Sequence, residues 1–441
     1  PQPKPIPLPR GSDVETADKL FSDKQLAQLG LLKSLILKQQ NKRIRESLLL
    51  AFSSSVNKHN LTFHYTKSEG GGDSAAFRYY RYRIAPDPGN IPLIQIFETK
   101  VQKVLAAKKE MEYFINDKTI SNAQIIKGTA TDLSFLPDES VDYIYTDPPY
   151  GKKIPYLDLS AMWNAWLDID VTEDDYQKEA IEGGELKKSK EEYNQLIAQS
   201  IKEMYRVLKY ERWMSFVFAH KDPEFWHLII DTAERCGFEY IGAVPQKNGQ
   251  TSFKKRQNPF TVLSGQLIIN FRKVRNPRAI LTANLGMDIA DIIMQTIEGI
   301  IAKNDGATLE EINDELIIKG LELGFLDQLK SKYSDLTALL MDNFEYNDET
   351  ELFTIKKDYK FVSHVDARLR IKYYTTSYLR RLEKENKTAT FDEIALYIIP
   401  LLRNGATPED QTILSVLEDI AVRVSDDRWK LKSYKQLELA I

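Results

Sequence analysis

The sequence predicts an α/β protein built on a parallel, doubly wound sheet, with helices before it and a mainly helical region after it. Three observations carry that prediction. Between residues 116 and 276, runs rich in β-branched and aromatic residues alternate with segments of helical period. One of them, Val141-Asp-Tyr-Ile-Tyr-Thr146, has the character of a buried strand and stops at Pro148-Pro149, where neither a ladder nor a helix can continue. Hydrophobic residues make up 42% of the 441, enough for about three domains of ordinary size.

The elements follow in order. The start, Pro1-Gln-Pro-Lys-Pro-Ile-Pro-Leu-Pro-Arg10, has too many prolines for a signal peptide and reads as an extended lead-in; lacking an initiator methionine, it fits a trimmed chain. Residues 15 to 58 carry two helices, the first marked by Leu26, Leu29, Leu32, Leu35 and Ile36. A strand-like run stands alone near 61–65, and a helix over 91–114 presents Lys100, Lys103, Lys108 and Lys109. Strands are expected near 123–128, 141–146, 213–219, 238–244 and 262–272, with helices over 191–208 and 223–236 between them. The acidic stretch Asp168 to Glu185 is either an excursion over a substrate mouth or a plain surface loop.

After residue 276 helices dominate. Thr308 with Glu311 makes a capping box, and a hairpin is expected over Phe353 to Phe361. Helix, helix and β-wing form a winged-helix pattern, but Asp327, Asp335 and Asp342 outweigh Lys330 and Lys332 on the second helix. That helix is a poor groove reader, which favours protein docking. A basic stretch over 365–381 and helices over 391–402 and 410–423 complete the chain. Three regions result: a helical lead-in and substrate-side insertion (1–115), a catalytic core (116–276) and a mainly helical, winged-helix-like region (277–441).

Chemistry concentrates in Asp147-Pro148-Pro149-Tyr150, placed where an α/β strand ends and ligands bind. An exocyclic amine on a nucleobase is a poor nucleophile because its lone pair is delocalised into the ring. Asp147 can accept one of its N–H bonds, and the Pro148 carbonyl can accept the other. Together they favour a pyramidal nitrogen, an electrostatic preorganisation, while Tyr150 offers a platform for a base flipped out of its stack.

The tetrapeptide resembles the catalytic motif of the amino-group DNA methyltransferases, which make N6-methyladenine or N4-methylcytosine. The similarity extends upstream through Gly128-Thr-Ala-Thr-Asp132-Leu-Ser-Phe-Leu-Pro and downstream through Tyr156-Leu-Asp-Leu-Ser160 and Trp163-Asn-Ala-Trp166-Leu, over roughly residues 20 to 275. The resemblance implies a Rossmann-like class I methyltransferase sheet, S-adenosylmethionine as cofactor, DNA as partner, and Asp132, Asp147 and Pro148 on the cofactor side. In this family Asp-Pro-Pro-Tyr leans towards adenine. One departure stands out: the Gly-rich turn that binds the cofactor after the first strand is not found. Ser68-Glu-Gly70-Gly71-Gly72-Asp73 is followed by no obvious amphipathic helix and reads as a loop. The sheet is therefore expected to be incomplete, its cofactor site finished by a missing N-terminal segment or by a partner subunit. Two alternatives stay open: a substrate-binding portion of a split enzyme, and a tRNA guanine N2 methyltransferase, which carries a similar Asp-Pro-Pro-Tyr-Gly.

Net charge is −4, but its distribution is uneven. From Lys247 to Arg278 there are eight basic residues and no acidic one, Lys247, Lys254, Lys255 and Arg256 leading. Phe77-Arg78-Tyr-Tyr-Arg81-Tyr-Arg83 interleaves arginines with aromatics, which suits a nucleic-acid groove and equally a packed strand. The single Cys236 excludes an internal disulfide, and five histidines show no metal-ligand spacing. A cytosolic protein with no structural metal and no membrane span is expected.

Overall fold

The computed structural model describes residues 1–64, 73–74, 81–89, 91–115, 122–151, 154–220, 222–246, 266–277, 287–326, 328–329, 336–356, 367–402, 408–425 and 427–432. The chain forms two compact units, one of residues 1–129 and 151–193, the other of residues 130–150 and 194–441.

In the first unit, helices Asp23–Leu37, Lys42–Val56 and Tyr156–Leu167 surround Trp166, which is fully buried. Phe21 and Phe52 meet the indole edge-on, at 5.5 and 5.7 Å between centroids. The first two helices start at Ser22, in a capping box with Gln25, and at Asn41. The proline-rich start is extended, as expected, but it is a packed part of this unit: Lys4 N–H donates to Ala165 carbonyl at 2.9 Å, and Ile6 and Leu8 lie against the core. The helix Leu93–Met111 ends in an exposed tip, with Tyr113 89% and Phe114 71% accessible. The lone strand-like run shrinks to Phe63–His64, paired with Asp73–Ser74. The strand expected over 123–128 does not form. That segment has no regular structure and is exposed, Ile125 wholly so, and no neighbouring strand among the described residues pairs with it.

The acidic stretch after Leu167 is more ordered than its composition suggests. Thr172 and Asp175 cap a helix over Glu173–Lys178, Gly183 bridges to Lys188, and Ile181 is buried. In the same unit lies Asp158, 1% accessible, whose Oδ2 finds no hydrogen-bond partner among the described residues. Burial first, then the charges of Glu179 and Glu185, push the Asp158 carboxyl up to about 6, against an opposing pull from Arg81. Burial also raises Glu179, although its Oε1 accepts the Leu157 N–H at 3.0 Å. A carboxyl whose pKa is higher folded than unfolded favours the fold below its unfolded value and loses that advantage as pH rises to about 6. Asp158→Asn is therefore expected to raise the melting temperature at pH 7.5 by about 3 °C or more, with the difference vanishing near pH 4. Thermal unfolding of both proteins across this range checks it; a pH-independent difference would refute the assignment.

In the second unit four strands form a mixed sheet: β1 Val141–Thr146, β2 Leu208–Phe218, β3 Phe238–Gln246 and β4 Gln266–Lys273, in spatial order β1-β2-β4-β3. Only β1 and β2 run parallel; β4 lies antiparallel between β2 and β3. The expected parallel sheet is thus corrected to a mixed one. The reason is that the chain turns back after β3 and inserts β4, where alternation of sequence alone does not fix direction. The strands expected over 141–146 and 238–244 hold to within two residues, β2 starts five residues ahead of the expected 213, and residues 262–265 lie outside the described residues.

β1 also departs from expectation. Tyr143 is 55% and Tyr145 58% accessible, so it is no buried strand. It pairs on one side only among the described residues, with β2, and stands at the edge of the sheet. Helix Pro223–Cys236 begins with Asp222 as cap and proline in its first turn, and ends at Gly237 with φ +104°. A side chain on Gly237 would meet the Tyr205 hydroxyl at 2.6 Å, a second reason for glycine there.

Beyond the sheet the unit is mainly helical. Helices Ile289–Asn304, Leu309–Leu323, Leu336–Asn343 and Ala367–Lys384 are present, the second capped by Thr308 and Glu311 as expected. The hairpin pairs Glu345–Asn347 with Leu352–Thr354, ahead of the expected 353–361, whose residues from 357 on lie outside the described set. The helix expected over 410–423 stops at Ile420, and Ala421–Ser425 continues as a strand against Arg428–Leu431. The basic stretch is largely spent internally: Arg370 is buried, and Arg368 pairs with Asp419. No helix among the described residues is long and apolar enough to cross a membrane.

Candidate active site

β1 and β2 are parallel and in register, Thr146 opposite Phe216, so their carboxyl ends emerge side by side. Asp147-Pro148-Pro149-Tyr150 leaves the first, and Ala219-His220 leaves the second after Val217-Phe218 at its tip. The prolines end the ladder, and Gly151 follows with φ +61°, the left-handed conformation that a glycine adopts freely. Tyr150 returns its hydroxyl to Asp147, donating to Oδ1 at 2.5 Å. One carboxylate oxygen is thereby fixed, and a carboxylate has lone pairs to spare for a second donor. The Tyr150 ring stands edge-on to Phe218, centroids 5.2 Å apart, and Phe218 is fully buried against Trp226 at the same distance. Aromatic burial thus holds the tyrosine while the turn holds the acid.

Asp132 lies in a separate turn. Its Oδ1 accepts the Ser134 N–H at 3.0 Å, and it is exposed. Arg206 grips that turn, donating to the Leu133 and Leu136 carbonyls at 2.9 and 3.0 Å and pairing with Asp138 at 2.6 Å. Glu203 accepts the Leu133 N–H at 2.8 Å; hydrogen bonds from Arg206, then from that N–H, hold its carboxyl below the usual range. That turn precedes β1 in the chain, whereas the tetrapeptide follows it.

A hydrogen-bond chain crosses three strands. Tyr143 hydroxyl donates to Ser215 Oγ at 2.8 Å, which donates to Asn270 Oδ1 at 2.7 Å. At the far end of β1, Lys209 at 3.0 Å and Arg212 at 3.3 Å hold the Asp142 carboxyl below its ordinary range.

Of the basic residues singled out, Lys247, Lys254, Lys255, Arg256 and Arg78 lie outside the described residues. Arg81 is half-buried in the first unit and acts electrostatically on Asp158. Of the later members of the 247–278 run, Arg275 is exposed, Arg278 lies outside the described residues, and Arg272 and Lys273 are engaged within the unit. Lys273 is buried, donating to Tyr205 and Leu208 carbonyls at 2.9 and 2.8 Å, and Arg272 pairs with Glu211 at 2.7 Å. Both fall on β4, where alternate side chains turn inward. Gly70 to Gly72 also lie outside the described residues. Among the described residues no cluster of glycines lies in a turn from a strand into a helix. Nor do described histidines, cysteine and acids group to hold a metal.

Sequence reasoning missed Phe218, His220 and Arg206. The first two had a signal: an aromatic strand tip, Phe216-Val-Phe218-Ala-His220, on the strand that follows the tetrapeptide. Arg206 had none, because the turn it holds, from Leu133 to Asp138, lies about 70 residues away in sequence.

No protein-family model matches the sequence, and no curated relative does. Among solved structures, crystal forms of a protein from Thermus thermophilus, provisionally described as a DNA modification methylase, are similar over part of their length. A selenomethionine form is 16% identical with a TM-score of 0.20, covering 38% of this chain and 61% of that one. A second form is 15% identical at 0.19, covering 37% and 61%. A form complexed with S-adenosyl-L-methionine is 15% identical at 0.21, covering 38% and 61%. The match spans about three-fifths of that protein, and similarity of this degree assigns neither a family nor an activity.

Proposed function

We propose that this protein takes part in transfer of a methyl group from S-adenosylmethionine to the exocyclic amine of a DNA base, adenine N6 foremost. The observation that supports this most is the tetrapeptide at the carboxyl end of β1, with the Tyr150 hydroxyl on Asp147 and its ring on Phe218. S-adenosylmethionine, when bound, supplies an electrophilic methyl group on sulfur. The chain's own residues prepare the nucleophile. Asp147 accepts one amine N–H, the Pro148 carbonyl accepts the other, and Tyr150 packs against the flipped base. The Tyr150 hydroxyl keeps the carboxylate oriented before the base arrives, so little reorganisation is left for the reaction.

A tRNA guanine amine is the second reading, favoured by Gly151 after the tetrapeptide. The two are separated by nucleoside mass spectrometry of DNA and tRNA from cells with and without this gene segment. Loss of N6-methyldeoxyadenosine from DNA is expected, at a site that sequencing then maps. Loss of N2-methylguanosine from tRNA instead would transfer the assignment to RNA, and no change in either would remove the methyltransferase reading.

A further inference from the structure

His220 stands at the mouth of the candidate site, and no role above uses it. It follows Phe218 and Ala219 out of β2, beside the tetrapeptide. Its ring lies nearly parallel to Phe218, 26° between planes and 6.4 Å between centroids, and Phe218 in turn carries Tyr150. Phe225 packs against the imidazole at 4.3 Å, and Trp226 Nε1–H holds the His220 carbonyl at 2.8 Å. The imidazole is therefore clamped from the helix side.

Its protonation pattern is set as well. Asp222 backbone N–H donates to His220 Nδ1 at 3.0 Å. A nitrogen that accepts a hydrogen bond bears no proton, so the neutral ring carries its proton on Nε2. Asp222 itself is fixed as the helix cap, its Oδ1 accepting the Glu224 N–H at 2.9 Å. The turn thus leaves the ring's N–H on Nε2, in the segment that follows β2 beside the tetrapeptide.

The target base needs such a donor. Beside the amine, adenine has N1 and cytosine has N3, both acceptors that lose their pairing partner when the base leaves the duplex. Asp147 and the Pro148 carbonyl are acceptors only and cannot satisfy them. Resting on the proposed function, we infer that His220 contacts the base, donating from Nε2 to the ring nitrogen next to the target amine. This arrangement reads an amine with an acceptor beside it, the pattern of N6 and N1 in adenine or N4 and N3 in cytosine.

The test uses the full chain and duplex DNA holding the mapped site, in two forms: the natural base, and its analogue with that ring nitrogen replaced by carbon (1-deazaadenine or 3-deazacytosine). Affinities are read by fluorescence anisotropy for the unaltered protein, His220→Ala and His220→Gln. The unaltered protein is expected to lose about tenfold in affinity on the analogue, the worth of one buried hydrogen bond. His220→Ala is expected to lose as much on the natural base and to be indifferent to the analogue. His220→Gln, which keeps an N–H donor, should recover part of the discrimination. If the two losses simply add, or if the glutamine variant matches alanine, the contact is not made although the base site stands. Failure of the unaltered protein to prefer the mapped duplex over an unrelated one would overturn the proposed function and this contact together.

Discussion

Asp147→Ala is expected to lower base methylation by at least about 10²–10³-fold, the loss typical when one preorganised electrostatic partner is removed from a reacting group. The side chain it removes lies at the surface end of β1 and carries no core packing, so the fold should persist. What disappears is the acceptor for the amine N–H, together with the hydrogen bond that anchors the Tyr150 hydroxyl. Asp147→Asn is the sharper probe. It keeps the volume but replaces one oxygen by an amide that donates towards the amine, so it should fall nearly as far. Tyr150→Phe, which retains the ring on Phe218 and loses only the hydroxyl, should fall much less, because the carboxylate remains. The readout is the methylated nucleoside at the mapped site, in cells carrying each substitution, which reports activity in whatever assembly the chain works. Methylation within twofold of normal in Asp147→Ala would falsify the assigned role, whatever the fate of the other two variants.

The legible and illegible parts of this molecule divide along physical lines. Helix Pro223–Cys236 is marked by local chemistry alone: a capping aspartate, a proline in the first turn and a glycine at the end. The same holds for Thr308 with Glu311, and for β1 stopping at two prolines. Strand direction is not legible, since the antiparallel seat of β4 between β2 and β3 depends on which partner the chain meets. Exposure escapes the sequence for the same reason. Tyr143 and Tyr145 have the composition of a buried strand, and only the sheet order shows them at an edge. Segment 123–128 has strand propensity without a ladder to join. In the site, Asp147 and Tyr150 are visible because they are three residues apart, whereas Phe218 and His220 come close only through the parallel register of β1 and β2. Basic residues on β4 look like a phosphate surface when charge is counted without the alternation that turns Lys273 inward.

The purified 441-residue chain is expected to show no saturable binding of S-adenosylmethionine up to about 1 mM by calorimetry, equivalent to a binding free energy no better than about −4 kcal/mol. The edge of the sheet is the reason. A parallel strand is normally covered on both sides, and natural edges are protected by charge, proline or a bulge. β1 has only Asp142 for protection, already engaged by Lys209 and Arg212, and exposes two tyrosines. Alternate backbone groups along it face a side where no described residue pairs with them. A cofactor bound at the carboxyl end of this sheet would meet one wall, from β1 and the tetrapeptide, and lack the turn that a neighbouring strand would bring. Strands from outside the described residues, in another polypeptide or another segment, would supply it. Hydrogen exchange gives the independent readout: alternate amides from Val141 to Thr146 should exchange fast in this chain and become protected when the edge is covered. Micromolar cofactor binding by the chain alone, with these amides already protected, would mean that the first strands lie within its 441 residues and that the edge is closed.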